Sequence, residues 1–453
     1  MRNSTTRPSS DETSQTTRLI SRITSVKVGG FKAISQVKDI EIGSLTILAG
    51  ANSSGKSSAL QPLLILKQTI DDHLGGSDLV LAAGHTDFTD KEQILSKSSE
   101  NGDPYPLTIG LTVKDYSMRQ TYRSVNSNPL AIAAILYSSP HFHPDGLALA
   151  PEMTSEDIKR AIDNWFRQSP ESFRPPNLRP KVDSGILSVA MDTTEDSANL
   201  KIIGTDEPAA VAMSFPFPFI TALSRVLHVK GVRGLGRQPR FTPPRGDLFP
   251  GPIELYAASL LLKWQEDRDA RLDQLRAQLA KLALTASISA KSINDSTAEI
   301  SVGRSLAHPD ELVSIADVGF GVSQVLPVLL ALLAAEPGRL VYIEQPEVHL
   351  HPNAQVALAQ IICEAVQKGI QVVMETHSEL MLLAVQTAVA KQELDPSQVV
   401  LHWFSQSKET GETQIDSRKP EPDGSFGDWP VDFSAVTMDA QLAYLRSVHA
   451  IAD

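Results

Sequence analysis

Gly50-Ala51-Asn52-Ser53-Ser54-Gly55-Lys56-Ser57-Ser58 is the stretch on which the reading of this chain turns. An apolar run, Leu45 to Ala49, precedes it, and Ala59 to Leu66 follows with a composition that can continue as a helix. The local order is strand, glycine loop, helix, and the spacing G-x-x-x-x-G-K-S is filled by Gly50, Gly55, Lys56 and Ser57. Glycine admits backbone angles that a Cβ forbids, so successive N–H groups can point inward at the oxygens of an anion. The helix adds its positive N-terminal end. A lysine at this spacing reaches the β- and γ-phosphates, and the serine hydroxyl ligates Mg²⁺. The stretch predicts a phosphate loop with ATP and Mg²⁺ as its ligands, bound by residues 50–58.

Beyond the loop, the C-terminal third carries the densest pattern. Leu340-Val341-Tyr342-Ile343-Glu344, Ile370 to Glu375 and Val399 to Phe404 read as buried strands, and helices are expected at about 323–335, 352–368 and 379–391. That alternation implies a parallel sheet with helical crossovers. A phosphate-loop enzyme needs a second carboxylate at the end of a neighbouring buried strand to hold Mg²⁺. Glu344, after four apolar residues, is the expected acid, which makes Ser57 and Glu344 the predicted metal pair. Gln345-Pro346-Glu347-Val348-His349-Leu350-His351 follows. Its alternating Glu347, His349 and His351 could form a separate metal site, but no Cys/His spacing elsewhere supports zinc. Upstream, Asp317 to Gln324 places Gly319 and Gly321 at a helix start, which suits an anion. Downstream, Glu375-Thr376-His377-Ser378 puts a histidine where ligands bind in open α/β folds.

The remaining chain sets the limits. Its 453 residues allow two or three domains, and 42% hydrophobic with 21% charged residues argues against wholesale disorder. A net charge of −12 makes a generally basic nucleic-acid surface unlike this protein. The exception is 225–245, with six Lys/Arg and no acid. Arg233, Arg237 and Arg240 there read equally well as phosphate contacts to DNA or RNA and as internal ion-pair partners. One cysteine, Cys363, excludes an internal disulfide and suits a reducing cytoplasm. The longest apolar run, Val325 to Ala335, is too short to span a bilayer, and residues 1–17 lack the apolar core of a secretory signal. No membrane partner is expected. Residues 1–17 read as a disordered tail, 154–168 as a helix opened by a Thr154/Asp157 capping box, and 252–284 as helical, with Leu272, Leu275, Leu279 and Leu282 on a core-facing stripe. Residues 405–430 are polar and rich in glycine and proline, and Met438 to Ile451 suggests a short helix.

Taken together, the order of motifs resembles the ABC-type ATPase head of the RecF/SMC kind, as in the "overcoming lysogenization defect" (OLD) and RecF-like bacterial AAA ATPases, and within these the group with a small C-terminal domain. GANSSGKSS resembles their Walker A, DVGFGVSQVLPVL stands in the place of the ABC signature, LVYIEQPEVHLHP resembles Walker B with the D-loop, and ETHSE the switch-histidine loop. The likeness extends over about residues 19–453 and is weak over 114–220. It implies a P-loop NTPase of ABC/RecF type: a mixed β-sheet with helices on its faces and an inserted α/β lobe. The implied division is a head half over 18–113, an accessory lobe over 114–310, a second head half over 311–404 and an extension over 405–453. It also implies a homodimer closing around ATP, with Gly319, Gly321 and Ser323 of one subunit on the other's γ-phosphate, and Glu344, Gln345, Glu347 and His377 as the catalytic set. Gln345 stands where the family commonly has its catalytic glutamate, which predicts slow or partner-stimulated hydrolysis, with Glu347 or His377 supplying the base. The family likeness further implies a nucleic-acid transaction such as phage defence or DNA repair, with an effector nuclease or other protein acting in trans. A nucleotide-dependent scaffold with little hydrolysis and the ATPase subunit of a transporter are the alternatives.

Overall fold

The computed structural model describes residues 22–71, 79–97, 105–124, 130–140 and 145–150, scattered positions of 153–164, the strands of 178–211, and 219–427 apart from seven positions within 232–241. The expected N-terminal tail and C-terminal helix lie outside the described residues, as do Arg237 and Arg240. Of the expected helix at 154–168, the described positions 156, 157, 160, 161 and 164 are helical. Thr154 and Asp157 exchange the reciprocal hydrogen bonds of a capping box.

Strands β1 (Ile23–Gly29), β2 (Lys38–Glu41) and β3 (Leu45–Gly50) open the fold. Helix α1 (Lys56–Asp71) follows the phosphate loop. Then β4 (Leu107–Val113), β5 (Tyr116–Ser124), β6 (Leu130–Ser138) and β7 (Leu147–Leu149) extend β1 and β2 into an antiparallel sheet ordered β2-β1-β4-β5-β6-β7. Strands β8 (Leu178–Asp183), β9 (Ile186–Met191), β10 (Asn199–Ile203) and β11 (Ala210–Val211) pair among themselves. Helix α2 (Phe219–Ser224) and β12 (Leu227–Val229) return the chain to the centre. Next come α3 (Ala257–Glu266), α4 (Ala270–Lys281) and a three-stranded sheet of β13 (Ile288–Asn294), β14 (Thr297–Gly303) and β15 (Leu312–Ser314). The chain then alternates α5 (Phe320–Ala334), β16 (Leu340–Glu344), α6 (Pro352–Gln367), β17 (Gln371–Glu375), α7 (Glu379–Ala390) and β18 (Val399–Gln406), and β19 (Thr413–Arg418) turns back on β18.

The central sheet runs β12-β16-β17-β3-β18-β19, parallel except for the antiparallel β18–β19 pair. The parallel sheet with helical crossovers expected from the C-terminal third is therefore present. All six residues of β3 are buried, as befits a strand covered on both faces. Alternate side chains of the sheet enter two separate cores. Leu45, Ile47, Val341, Ile343, Val372 and Met374 face one that includes α3 to α7, and Leu48, Tyr342 and Val373 face the other with α1 and the antiparallel sheet. This pleat puts Glu344 and Glu375, in step with Tyr342 and Val373, on the α1 side.

The stretch 114–310 does not stand apart from the head. Strand β5 pairs with β4 across position 113, β12 joins the central sheet beside β16, and α3 and α4 bury Leu260, Leu261, Trp264, Leu272, Leu275 and Leu279 in the same core as α5. The helical stretch 252–284 breaks between 266 and 270, where Asp269 caps α4 by accepting from the Arg271 N–H at 2.9 Å. Sequence patterning had no means of showing these joins, because strand partners are non-local. Polar composition likewise hid β19, an edge strand whose outward residues are exposed.

Candidate functional site

The phosphate loop leaves β3 at Gly50 and enters α1 at Lys56. Gly50 has φ +141°, and a Cβ there would meet the Phe404 carbonyl oxygen at 2.1 Å, so only glycine fits between β3 and β18. Thr413 of β19 donates to Ser54 O at 3.1 Å and Ser54 Oγ to Ala51 O at 2.8 Å, which fixes the loop's far side. Among the described residues, the backbone N–H groups of Asn52, Ser53 and Gly55 meet no acceptor. Lys56 folds back over this loop, donating to Gly50 O at 3.1 Å and Ala51 O at 2.7 Å. Burial lowers its pKa, against the opposing charges of Glu375 and Glu347.

Five groups converge here. Ser57 Oγ donates to Glu375 Oε2 at 2.8 Å, and the Tyr342 hydroxyl donates to Glu375 Oε1. Glu375 is fully buried, and burial together with the Glu344 charge pushes its pKa up to about 7. Glu347 Oε1 accepts the His377 N–H at 2.7 Å, while Glu347 Oε2 is buried without a hydrogen-bond partner among the described residues. Burial raises the Glu347 pKa, against the His377 N–H and the Arg233 charge. Burial and then the Lys56 charge lower the pKa of the His377 ring, against the opposing influence of the Gly50 backbone. The C-terminal ends of β3, β16 and β17 thus aim a lysine, a hydroxyl, two buried carboxyls and an imidazole at one phosphate-binding loop. The chain has a mixed α/β fold in which a strand–glycine loop–helix motif lies at the C-terminal edge of a parallel sheet, beside two buried carboxyls and an imidazole. The donor set suits Mg²⁺, which prefers hard oxygen ligands such as this hydroxyl and these carboxylates.

Residues 248–384 match the family model described as "AAA domain, putative AbiEii toxin, Type IV TA system", a span that holds Glu344, Glu347 and His377 but starts beyond the phosphate loop. No curated protein matches the chain. Among solved structures, an Smc head bound to the C-winged helix domain of ScpA aligns with 88% of this chain and 98% of its own, at 13% identity and a TM-score of 0.44. The SMC head domain from Thermotoga maritima aligns with 87% of this chain and 98% of its own, at 11% identity and a TM-score of 0.40. An Smc head with an extended coiled coil, bound to the C-terminal domain of ScpA derived from Pyrococcus furiosus, aligns with 94% and 99%, at 10% identity and a TM-score of 0.43.

Several expected site residues of the head lie elsewhere. Glu344 ends β16, but β17 separates β16 from β3. Two sheet spacings, roughly 10 Å, therefore part its strand from the phosphate-loop strand. Its carboxylate turns to β12 instead, with Oε1 3.1 Å from His228 Nε2 and Oε2 accepting the Gly231 N–H at 2.9 Å. Burial would raise the Glu344 pKa, but the His228 hydrogen bond and charge and the Gly231 N–H bring it below the usual value. Gln345 follows with φ +42°, a left-handed backbone rare for a side-chain-bearing residue, and its N–H donates to Glu375 O at 2.9 Å. Gly319 precedes α5, Gly321 lies in its first turn beside the His349 carbonyl, and Ser323 Oγ donates to Phe320 O at 3.0 Å. No hydrogen bond among the described residues joins these three to the head's own phosphate loop. The alternative metal site at Glu347, His349 and His351 does not form. His351 caps α6 by accepting the Asn353 N–H, and among the described residues no group of three or more His, Cys, Asp or Glu is placed to hold a metal.

Arg233, read from sequence as a candidate nucleic-acid contact, is buried. Its guanidinium donates to Gln324 O at 2.5 Å, Glu344 O at 2.9 Å, Gln345 O at 3.4 Å and the carbonyls of Lys230 and Gly231. It ties the end of β16 to α5 and to the loop after β12. Arg233→Ala would strip five carbonyls of a buried donor and is expected to cost about 3 kcal/mol of unfolding free energy in urea titration. A change within error of zero would remove Arg233 as the tie. Sequence reading also missed Glu375, Tyr342 and His228. Only Glu375 left a signal, being an acid at the end of a buried strand directly before Thr376-His377.

Proposed function

We propose that this head binds ATP with Mg²⁺, hydrolyses it slowly, and closes on a second copy of itself around the nucleotide. The observation that carries the reading is the convergence of Lys56, Ser57, Glu375, Glu347 and His377 on the loop Gly50 to Ser58. Residues 50–58 cradle the phosphates through backbone N–H groups and the positive end of α1. Lys56 leaves the Gly50 and Ala51 carbonyls for the β- and γ-phosphate oxygens. Ser57 and a strand-end carboxyl hold Mg²⁺, which when bound neutralises charge on those oxygens. Glu347, buried with one oxygen unpartnered and its pKa raised, takes up the proton of the attacking water or orients it. His377 fixes Glu347 through its N–H.

Gly319, Gly321 and Ser323 supply the second half of a shared site in trans. Gly319 and Phe320 of this helix start are exposed, Phe320 at 71% beside the His349 ring, whereas Gly321 is half-buried and Ser323 is buried. In velocity sedimentation the chain should pass from monomer to dimer when a slowly hydrolysed ATP analogue and Mg²⁺ are added. The same species with and without nucleotide would overturn closure around ATP. The work done with each cycle is a nucleic-acid transaction, in phage defence or DNA repair, carried out with an effector protein in trans; fold-level likeness is its support. Gln345 favours a second reading, a nucleotide-gated scaffold in which binding rather than turnover is the signal. Among the described residues no helix is long and apolar enough to cross a membrane.

A further inference from the structure

We infer that Glu375, and not Glu344, is the carboxylate that holds the divalent cation together with Ser57 in this head. The inference rests on the proposed ATP site and assigns one role within it. Strand order is the first ground: β17 is hydrogen-bonded directly to β3, with Glu375 opposite Leu48, while β16 lies one strand further out. Glu375 Oε2 already meets the Ser57 hydroxyl at 2.8 Å, the contact a metal-holding carboxylate keeps with its partner ligand. Tyr342, one strand away on the same face, donates to the other oxygen and sets the carboxyl's orientation. That is the outer support a ligating carboxylate requires.

Glu344 is committed elsewhere, and the hydrogen-bond chain shows how. His85 Nε2 accepts the Gly251 N–H at 3.2 Å and lies 3.8 Å from Asp71 Oδ2. His85 Nδ1 and His228 Nδ1 share a hydrogen bond at 3.1 Å, and His228 Nε2 lies 3.1 Å from Glu344 Oε1. The Gly231 N–H takes the other carboxylate oxygen. Both Glu344 oxygens are thus engaged by β12 and the loop after it, whereas Glu375 is engaged by Ser57 of the phosphate loop itself, and the His228 ring is kept in place by stacking on Tyr342 at 5.3 Å. Glu344 ties β12 to β16 and acts as a positioning residue, while the cation-facing role moves one strand inward. The change is in keeping with Gln345, which follows Glu344 and carries no charge.

The test reads the gain in nucleotide affinity that Mg²⁺ confers, measured with a fluorescent, slowly hydrolysed ATP analogue in EDTA and in Mg²⁺, with Mn²⁺ bound per nucleotide site followed by electron paramagnetic resonance. Glu375→Gln keeps the side-chain shape and one acceptor oxygen but removes the charge, and is expected to lose about tenfold or more of the gain, with weakened Mn²⁺ binding and an unchanged affinity in EDTA. Glu344→Gln should keep the gain within about threefold, since its partners lie on β12. If Glu375→Gln does not fold, Glu375→Asp serves, because a carboxylate one methylene shorter should reduce the gain. A full gain in either Glu375 variant, or loss in Glu344→Gln equal to that in Glu375→Gln, overturns the assignment. Wild-type protein that binds no nucleotide with or without Mg²⁺ would instead overturn the ATP site itself.

Discussion

Glu347→Gln should lower ATP hydrolysis by about 10²- to 10⁴-fold, the usual contribution of a positioned general base, while ATP binding stays near wild type. The structure separates the two properties. Glutamine keeps an oxygen to accept the His377 N–H, so the turn between β17 and α7 retains its anchor. What it loses is the charge and basicity of the second carboxylate oxygen, which is buried without a hydrogen-bond partner among the described residues. Burial raises the Glu347 pKa, which brings it nearer the working pH, where a base is both free to accept a proton and strong enough to do so. Phosphate release and nucleotide affinity measured on the same preparation decide the point. Hydrolysis at the wild-type rate would exclude Glu347 as base and return the role to His377. Loss of binding together with hydrolysis would show that Glu347 supports the loop rather than the chemistry.

Lys56→Ala is expected to weaken ATP binding by about 10²-fold, the equivalent of two charge-assisted hydrogen bonds to phosphate, measured by titration calorimetry. Lys56 is only 5% exposed and lies against the loop it serves. Its contacts are with the Gly50 and Ala51 carbonyls, and the Ala51 carbonyl keeps the Ser54 hydroxyl when the lysine is gone. The loss of folding stability is therefore confined to about 1 kcal/mol, one neutral hydrogen-bonding group left short of a donor. Unchanged affinity for ATP would show that the loop is a structural turn.

Local sequence determined what depends on neighbours along the chain. The phosphate loop, the strand before it and the helix after it were legible because a glycine with no room for a Cβ beside the Phe404 carbonyl, a lysine and a hydroxyl occur at fixed spacing on one continuous segment. The strands β16, β17 and β18 and their intervening helices were legible from apolar runs and caps, and the leucine stripe of α4 from its helical period. Tertiary structure decided what depends on which strand lies beside which. Glu344 and Glu375 are each an acid ending a buried strand, and nothing in either run of residues says which of them adjoins β3. Insertion of β17 between β16 and β3 gave Ser57 to Glu375 and left Glu344 to His228. The same holds for Arg233: a basic residue among glycines and prolines reads as exposed, and only the closing of β12 against β16 and α5 enclosed it among five carbonyls. Motifs are written in covalent order, whereas the choice among chemically equivalent acids and cations is made by sheet order, which hydrogen bonds between distant segments impose.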